Sequence, residues 1–159
     1  MKLLIFHYRI PQCVLDETRA FLFEKGLNGC EGTGLWIGKV NGTHVDITRF
    51  FAPEQICIKT EYGVAVDLTQ RAHFTLTDNL NPGERFFVRI HSHPDEAYHS
   101  DRDNKNQILT HQGAISIVVP DFAAKPIDLS HCAVYRLEHG RGWIPITTEE
   151  IRTTFEIVS

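Results

Sequence analysis

The stretch that decides the fold is Phe86-Phe87-Val88-Arg89-Ile90-His91-Ser92-His93-Pro94. Its first five residues are mostly aromatic or β-branched, which predicts a buried strand. Because alternate side chains of a strand share a face, we expect His91 and His93 to point the same way. Their Cβ atoms are then about 7 Å apart, close enough for both imidazoles to reach one metal ion. Pro94 has no backbone N–H to donate and is expected to end the strand.

A serine and a carboxylate follow this strand in the pattern Ser100-x-x-Asp103. The pattern is a variant of the helix capping box, and it predicts a helix over 104–111 that ends at Gly113. The cap alone would explain both residues. A cap and a metal ligand are nevertheless compatible, because Asp103 in the first turn of that helix would lie beside the histidines. Two histidines and one carboxylate, with the fourth position left to water, are typical of a catalytic zinc site.

The composition is that of an ordinary globular protein. The chain has 159 residues, of which 42% are hydrophobic and 23% are charged, so one domain over residues 1–159 is expected. A net charge of −4 argues against nucleic acid as a partner, since phosphate contacts need a basic surface. No segment has the length of a membrane span, and the apolar run 3–6 is too short for a signal peptide. A cytoplasmic protein is therefore predicted.

The four cysteines, Cys13, Cys30, Cys57 and Cys132, are widely separated and form no Cys-x-x-Cys pair. In a domain that can build its own hydrophobic core, this pattern predicts reduced and mostly buried thiols. A disulfide is compatible with the sequence, but nothing in the spacing supports one.

Strand and helix patterns alternate along the chain, which predicts one α/β domain with a mixed sheet flanked by helices. Residues 52–66 are ambiguous between strand and loop. The other predicted elements are a strand at 2–10, a helix from Gln12 to Lys25 with Gly26 after its end, strands at 34–41 and 43–51 joined by Asn41-Gly42, a helix from Asp67 to about Leu80, a strand at 114–120, a hairpin near 131–146, and a short helix opened by Thr147.

Glu31 is a candidate general base. It precedes an apolar strand that contains Gly34 and Gly38, and glycines allow the backbone to approach closely beside a metal pocket. A zinc-bound water needs a group that accepts its proton, and a carboxylate commonly fills that role. Taken by itself, Glu31 is better explained as a loop acid that follows the first helix.

Together these residues resemble the JAMM motif of the MPN+/JAB metalloprotease family, over about residues 11–120. The matching segments are Glu31-x-x-Gly34-x-x-x-Gly38, His91-x-His93-Pro94 and Ser100-x-x-Asp103. The family commonly has seven residues between the second histidine and the serine, whereas this chain has six. A loop that is one residue shorter keeps the Ser-x-x-Asp unit and is preferred, but Asp101 stays a rival ligand.

The resemblance implies an MPN/JAB-like fold and a Zn²⁺ ion held by His91, His93 and Asp103. It further implies that Glu31 accepts the proton of the attacking water and that the Ser100 hydroxyl stabilises the oxyanion. His99 is expected in the loop or at the rim of the pocket rather than among the ligands. Trp36 and Trp143 are expected to serve packing.

The resemblance also implies the substrate class. Members of the family look like isopeptidases or peptidases that act on ubiquitin-like modifiers, whose C-terminal tail would lie in the groove. Compact proteins of this type occur in bacterial ubiquitin-like conjugation operons, including antiphage ones, so cognate activating and conjugating enzymes are expected partners. Two alternatives stay open, namely a non-catalytic MPN scaffold and a hydrolase that acts on another peptide or carrier protein.

Overall fold

The computed structural model describes residues 7–159, which contain ten strands and four helices. The strands are β1 (His7–Pro11), β2 (Thr33–Asn41), β3 (His44–Phe51), β4 (Gln55–Thr60), β5 (Gly63–Leu68), β6 (Arg85–Ser92), β7 (Ile115–Val119), β8 (Ala133–Glu138), β9 (Gly142–Pro145) and β10 (Phe155–Val158). The helices are α1 (Gln12–Leu27), α2 (Gln70–Thr75), α3 (Asp101–Lys105) and α4 (Thr148–Thr154). Short 3-10 turns lie at Leu76–Asn79, Asp121–Ala123 and Leu129–His131.

Eight of these strands form one mixed sheet in the order β10-β1-β3-β2-β6-β7-β8-β9. β6 lies near the middle, antiparallel to β2 and parallel to β7, and each of its residues from Phe86 to Ser92 is buried. Both faces of the sheet are covered: Trp36 of β2 enters one hydrophobic cluster, while its neighbours Leu35 and Ile37 enter a second. The predicted mixed α/β fold, with the His-bearing strand in its core, is confirmed.

Helix α1 is longer than predicted. It continues to Leu27, so Gly26 lies inside the helix rather than after its end. Packing explains why this helical position is a glycine, since a Cβ on Gly26 would lie 2.5 Å from the Cβ of Phe122. Gly29, with a φ of +71°, adopts the left-handed conformation that follows the helix. The strand predicted at 2–10 is present as β1, and its residues 2–6 lie outside the described residues.

The ambiguous segment 52–66 forms most of a separate hairpin. β4 and β5 pair with each other in register from Gln55 with Leu68 to Thr60 with Gly63, and form a two-stranded sheet of their own. The helix predicted to begin at Asp67 begins later, because Asp67 and Leu68 complete β5. Thr69 is the cap, and its hydroxyl accepts a hydrogen bond from the Ala72 N–H.

The helix predicted to run to His111 is wrong. α3 ends at Lys105, because Asn106 has an extended backbone and its side-chain carbonyl accepts the N–H of Ile108 in a local turn. The predicted strand at 114–120, the hairpin near 131–146 and the capping box of Thr147 are present as β7, the β8–β9 pair and α4. β10, which pairs in parallel with β1, was not predicted, because four residues carry too short a pattern.

Among the described residues, none of the helices combines the length and the apolar character that crossing a bilayer would require.

Gly38 provides a test of how tightly β2 and β3 pack. A Cβ at this position would lie 2.4 Å from the backbone oxygen of Asp46, and backbone cannot move aside cheaply. We expect Gly38→Ala to lower the free energy of unfolding by about 1–3 kcal/mol, measured by urea denaturation. The exposed neighbour Lys39 is the control, and Lys39→Ala should stay within about 0.5 kcal/mol. Equal effects of the two substitutions would contradict this account.

Candidate active site

The end of β6 brings two imidazoles to one point. The Nε2 atoms of His91 and His93 lie 3.2 Å apart, and only 7% and 4% of the two residues are exposed. Asp103, from the first turn of α3, reaches both rings. Its Oδ1 lies 3.1 Å from the Nε2 of His91, and its Oδ2 lies 3.3 Å from the Nε2 of His93.

These three side chains fit a metal ion. Ligand atoms bound to a tetrahedral ion at about 2.0–2.1 Å lie about 3.3 Å from one another, which is the spacing found here. The donor set is also chemically suitable, because imidazole nitrogen and carboxylate oxygen are common ligands of divalent transition metals. Asp101 is exposed and does not belong to this group of potential ligands, so the geometry favours Asp103 over its rival.

The start of α3 holds Asp103 in place. The Oγ of Ser100 accepts a hydrogen bond from the Asp103 N–H at 3.1 Å, and the Oδ2 of Asp103 accepts one from the Ser100 N–H at 2.9 Å. The expected cap is therefore present, and the same carboxylate faces the two imidazoles. Because the cap uses Ser100 as an acceptor, the hydroxyl proton remains available for donation. Ser100 lines the same cavity as the histidines.

Glu31 lies in the loop between α1 and β2, only 7% exposed, and it lines the cavity with His91, His93 and Asp103. Ser92 pins this loop to β6. The Ser92 N–H donates to the Gly32 carbonyl and the Ser92 Oγ accepts the Gly32 N–H, both at 3.0 Å. Sequence reasoning missed Ser92, although a polar residue on the face opposite to the two histidines was a usable signal.

Burial and charge shift the pKa values of the site. Burial raises the pKa of Glu31 to about 7, although the positive charges of His93 and Arg102 act to lower it. Burial also disfavours the ionised form of Asp103, but hydrogen bonds from His91 and His93 outweigh it and hold the pKa of Asp103 far below its usual range. Burial lowers the pKa of His91. In His93, the hydrogen bond with Asp103 and the charge of Glu31 outweigh burial and raise the pKa.

A cavity of about 580 Å³ opens over these residues. One wall contains every residue of β5 with the preceding Tyr62, and another contains Tyr98 and Ser100, which precede α3. Since side chains alternate along a strand, lining by consecutive residues means that an edge of β5 borders the cavity. An ion pair of 2.7 Å between Asp67 of β5 and Arg102 of α3 links the two walls.

The hairpin of β4 and β5 is fastened to the loop that carries Glu31. Cys57 of β4 forms a disulfide with Cys30, with their Cα atoms 5.7 Å apart. Lys59 donates to the Asn28 carbonyl at 2.6 Å. The side chain of Gln55 donates to the carbonyl of Thr33 and accepts its N–H, both at 2.9 Å. The hairpin and the proposed base are therefore held as one unit.

The prediction that the cysteines are reduced is wrong for Cys30 and Cys57. The two are 27 residues apart, and only the folding of the hairpin against the Glu31 loop brings them together. Cys13 and Cys132 are free thiols as predicted, but Cys13 is exposed rather than buried.

His99 lies in the loop between β6 and α3 and outside the ligand group, as expected, and its ring is packed against aromatic side chains. It stacks on Tyr135, with ring centroids 3.9 Å apart. Trp36 is fully buried, and its Nε1 donates to Thr18 at 2.9 Å, so its packing role is confirmed. Trp143 packs over the guanidinium of Arg89, 4.4 Å from the ring centroid.

Glu31 gives a pH-dependent prediction for the metal-free protein. The pKa of the Glu31 carboxyl rises from 4.5 to about 7 on folding, so the folded state binds this proton more tightly than the unfolded state does. The resulting stabilisation of the folded state is fully present below pH 4.5 and is lost as the pH rises through 7. We therefore expect chelator-treated Glu31→Gln to exceed the wild type in unfolding free energy at pH 8 by up to about 3 kcal/mol. The difference should shrink to within about 0.5 kcal/mol at pH 4.5.

Urea denaturation at these two pH values measures the effect. The control is Glu61→Gln, at an exposed position in the turn of the hairpin, which should change neither curve. A Glu31→Gln protein that is less stable than the wild type at pH 8 would contradict the assignment of burial as the dominant influence on Glu31.

Comparisons with known proteins give a fold neighbour and a relative, while no family model matches the chain. The solution structure of protein DSY2949 from Desulfitobacterium hafniense superposes with a TM-score of 0.61 at 14% identity, covering 96% of this chain and 93% of that one. This likeness shows a shared fold.

The relative is a protein of Sinorhizobium fredii (strain NBRC 101917 / NGR234) named "Probable metalloprotease y4jG". It is 32% identical over 151 residues, which cover 94% of this chain and 93% of the relative. The similarity therefore extends along nearly all of both proteins and includes the segments that carry the His-His-Asp group. On these grounds, the chain belongs to the metalloprotease family of the Sinorhizobium protein.

Proposed function

We propose that the chain is a zinc-dependent isopeptidase or peptidase of the JAMM type, which cleaves conjugates or precursors of a ubiquitin-like modifier. The observation that carries this proposal is the convergence of His91, His93 and Asp103 at 3.1–3.3 Å in a cavity that also holds the buried carboxylate of Glu31. Zinc is proposed because two imidazoles and one carboxylate with an open position form a common catalytic zinc set. When bound, zinc would lower the pKa of a coordinated water and polarise the substrate carbonyl.

In this proposal Glu31 accepts the proton of the attacking water and returns it to the leaving amine. A pKa of about 7 in the metal-free protein suits a group that must both take and release a proton near neutral pH. Its burial beside the ligands also keeps competing water away from the carboxylate. Among the described acids that line the cavity, Asp103 is assigned as a ligand and Asp67, Asp95 and Glu96 are exposed, which leaves Glu31 as the buried acid available for this role.

Ser100 is proposed as the hydrogen-bond donor to the oxyanion. Its backbone and its Oγ are both fixed by the cap of α3, so the remaining O–H is oriented before substrate arrives. A preorganised donor of this kind typically contributes a factor of about 10²–10³ to the rate.

The substrate class is supported by the shape of the cavity. β5 has β4 as its sheet partner, and its other edge borders the cavity. An extended peptide can therefore add to β5 through main-chain hydrogen bonds, a mode that depends on backbone more than on sequence. The narrow and extended segment that such an edge accepts corresponds to the C-terminal tail of a ubiquitin-like modifier.

We extend the proposal to a bacterial ubiquitin-like conjugation system, including one with an antiphage role, in which activating and conjugating enzymes would be the partners. A cytoplasmic location belongs to this extension. The disulfide between Cys30 and Cys57 is the observation that speaks against that location, because disulfides persist mainly in oxidising compartments.

The ligand assignment predicts metal content. Asp103→Asn keeps an oxygen for the cap of α3 but removes the charge, so we expect it to lose most bound zinc, as should His91→Ala. Asp101→Ala is the control in the same helix and should retain zinc at the wild-type stoichiometry, measured by elemental analysis after dialysis. Loss of zinc in Asp101→Ala together with retention in Asp103→Asn would show that Asp101, and not Asp103, is the ligand. A wild-type protein without stoichiometric zinc would favour the scaffold alternative.

The base assignment predicts a separation of binding from turnover. Glu31→Gln should bind zinc like the wild type and cleave a ubiquitin-like fusion at least about 10²-fold more slowly, whereas Glu61→Gln should cleave normally. Cleavage is followed on gels, with and without chelator, over a panel of modifiers. Full activity of Glu31→Gln would remove Glu31 as the base. Chelator-sensitive cleavage of unrelated peptides, with every modifier left intact, would instead favour the alternative hydrolase.

A further inference from the structure

Arg89 is a buried cation that the proposed mechanism does not use. It stands on β6 two residues before His91, on the same face of the strand, and only 3% of it is exposed. Its neighbours along β6, Val88 and Ile90, are fully buried hydrophobic residues. Within the described residues, no carboxylate oxygen lies within the 4.0 Å of an ion pair from its guanidinium.

Burying a guanidinium without a paired carboxylate is costly unless its N–H groups are hydrogen-bonded. An apolar residue would satisfy the core of a central strand at lower cost, so stability alone does not explain an arginine at this position. Besides its packing against Trp143, Arg89 makes hydrogen bonds to β7, to His99 and to the end of the segment that carries Asp103. They comprise Nε to Ser116 Oγ at 2.9 Å, Nη1 to the Asn106 carbonyl at 3.2 Å, Nη2 to the Asp103 carbonyl at 2.5 Å and Nη2 to His99 Nε2 at 3.4 Å.

Two of these contacts hold the helix that supplies Asp103. α3 has five residues, none of them buried, so it has no apolar side chain to anchor it to the sheet. A helix this short is not stable by itself in water. The Asp103 carbonyl accepts the N–H of Asn106 at 3.3 Å and has a second lone pair that can accept a hydrogen bond from outside the helix. The guanidinium donates hydrogen bonds to the carbonyl of Asp103 in α3 and to that of Asn106, the residue after α3. These contacts hold the C-terminal end of the helix against β6.

A third contact reaches α3 through His99. A guanidinium only donates hydrogen bonds, so the Nε2 of His99 is an acceptor, and it lies 2.8 Å from the Ser116 hydroxyl as well. The proton of the neutral ring is then on Nδ1, which donates to Asn104 Oδ1 at 2.9 Å. The His99 ring is itself held by stacking on Tyr135. Arg89 therefore orients a second link to the same helix.

We infer that Arg89 is a positioning residue, which holds α3 against β6 in the place where the Asp103 carboxylate meets the two imidazoles. The inference rests on the proposed metal site and deepens it. Arg89 lines the same cavity, but its hydrogen bonds go to the backbone carbonyls of Asp103 and Asn106 rather than to the ligand atoms, so it acts through the backbone of α3. The buried charge is retained because only a forked donor can bind the carbonyls of Asp103 and Asn106 and the ring of His99 at once.

The test compares Arg89→Met with Arg49→Met. Methionine fills a similar volume without hydrogen bonds, and Arg49 is the control because it also pairs with a backbone carbonyl, that of Asn79, and with Glu84, away from the ligands. We expect Arg89→Met to weaken Zn²⁺ affinity by about 10–100-fold, measured by competition with a chelator. Its Co²⁺ absorption spectrum should differ from that of the wild type, while its metal-free urea midpoint should fall no further than that of Arg49→Met.

This separation distinguishes positioning from a general structural role, in which stability and metal affinity would fall together. Arg89→Lys keeps the positive charge but has a single donor group in place of the forked guanidinium, so it should recover part of the Zn²⁺ affinity. If Arg89→Met does not fold, Arg89→Lys decides the matter: weaker Zn²⁺ binding at an unchanged midpoint supports the inference, and wild-type binding overturns it.

Wild-type affinity and an unchanged Co²⁺ spectrum in a folded Arg89→Met protein would overturn the inference and leave the proposed function intact. A wild-type protein that binds no metal would remove the proposed function. A wild-type protein that binds metal but cleaves no modifier would remove the proposed substrate and leave the role of Arg89 standing.

Discussion

The constraint on which the site depends is the approach of two imidazole nitrogens to 3.2 Å in a buried position. Two ring nitrogens repel each other at this distance if both present lone pairs, so the arrangement is stabilised when one of them carries a proton or when both bind a cation. Asp103 supplies the opposite charge from the other side of the same point. Burial strengthens each of these interactions, because the effective dielectric constant is lower than in water. The elements around β6 are arranged to meet this one requirement.

Polar contacts, rather than apolar packing, complete the arrangement. The loop of Glu31 is held by Ser92 and by the disulfide to β4, and α3 is held by its capping box and by Arg89. This division has a physical reason. A segment that must expose its side chains to a cavity cannot also bury them, so backbone hydrogen bonds have to supply the anchorage that hydrophobic contacts supply in the core. Membership of a metalloprotease family agrees with such a site.

Much of this could be anticipated from local pattern. Strand alternation placed His91 and His93 together, and the motif spacing named Glu31, Ser100 and Asp103, all of which line one cavity. Their chemical roles stay predictions. The length of α3 could not be anticipated, because the turn at Asn106 competes with the helix through a side-chain hydrogen bond. Neither could the pairing of Cys30 with Cys57, since their separation of 27 residues carries no local signal.

The sequence by itself determined the His-bearing strand, the polar residues at its end and the helix cap, because each depends on neighbours within a few positions. Only the tertiary structure decided that the β4–β5 hairpin forms a wall of the cavity and that Arg89 ties α3 to the sheet. Those features depend on contacts between segments far apart in the chain, whose energies are set by burial and by competition for hydrogen-bond partners. Neither quantity exists until the chain has folded.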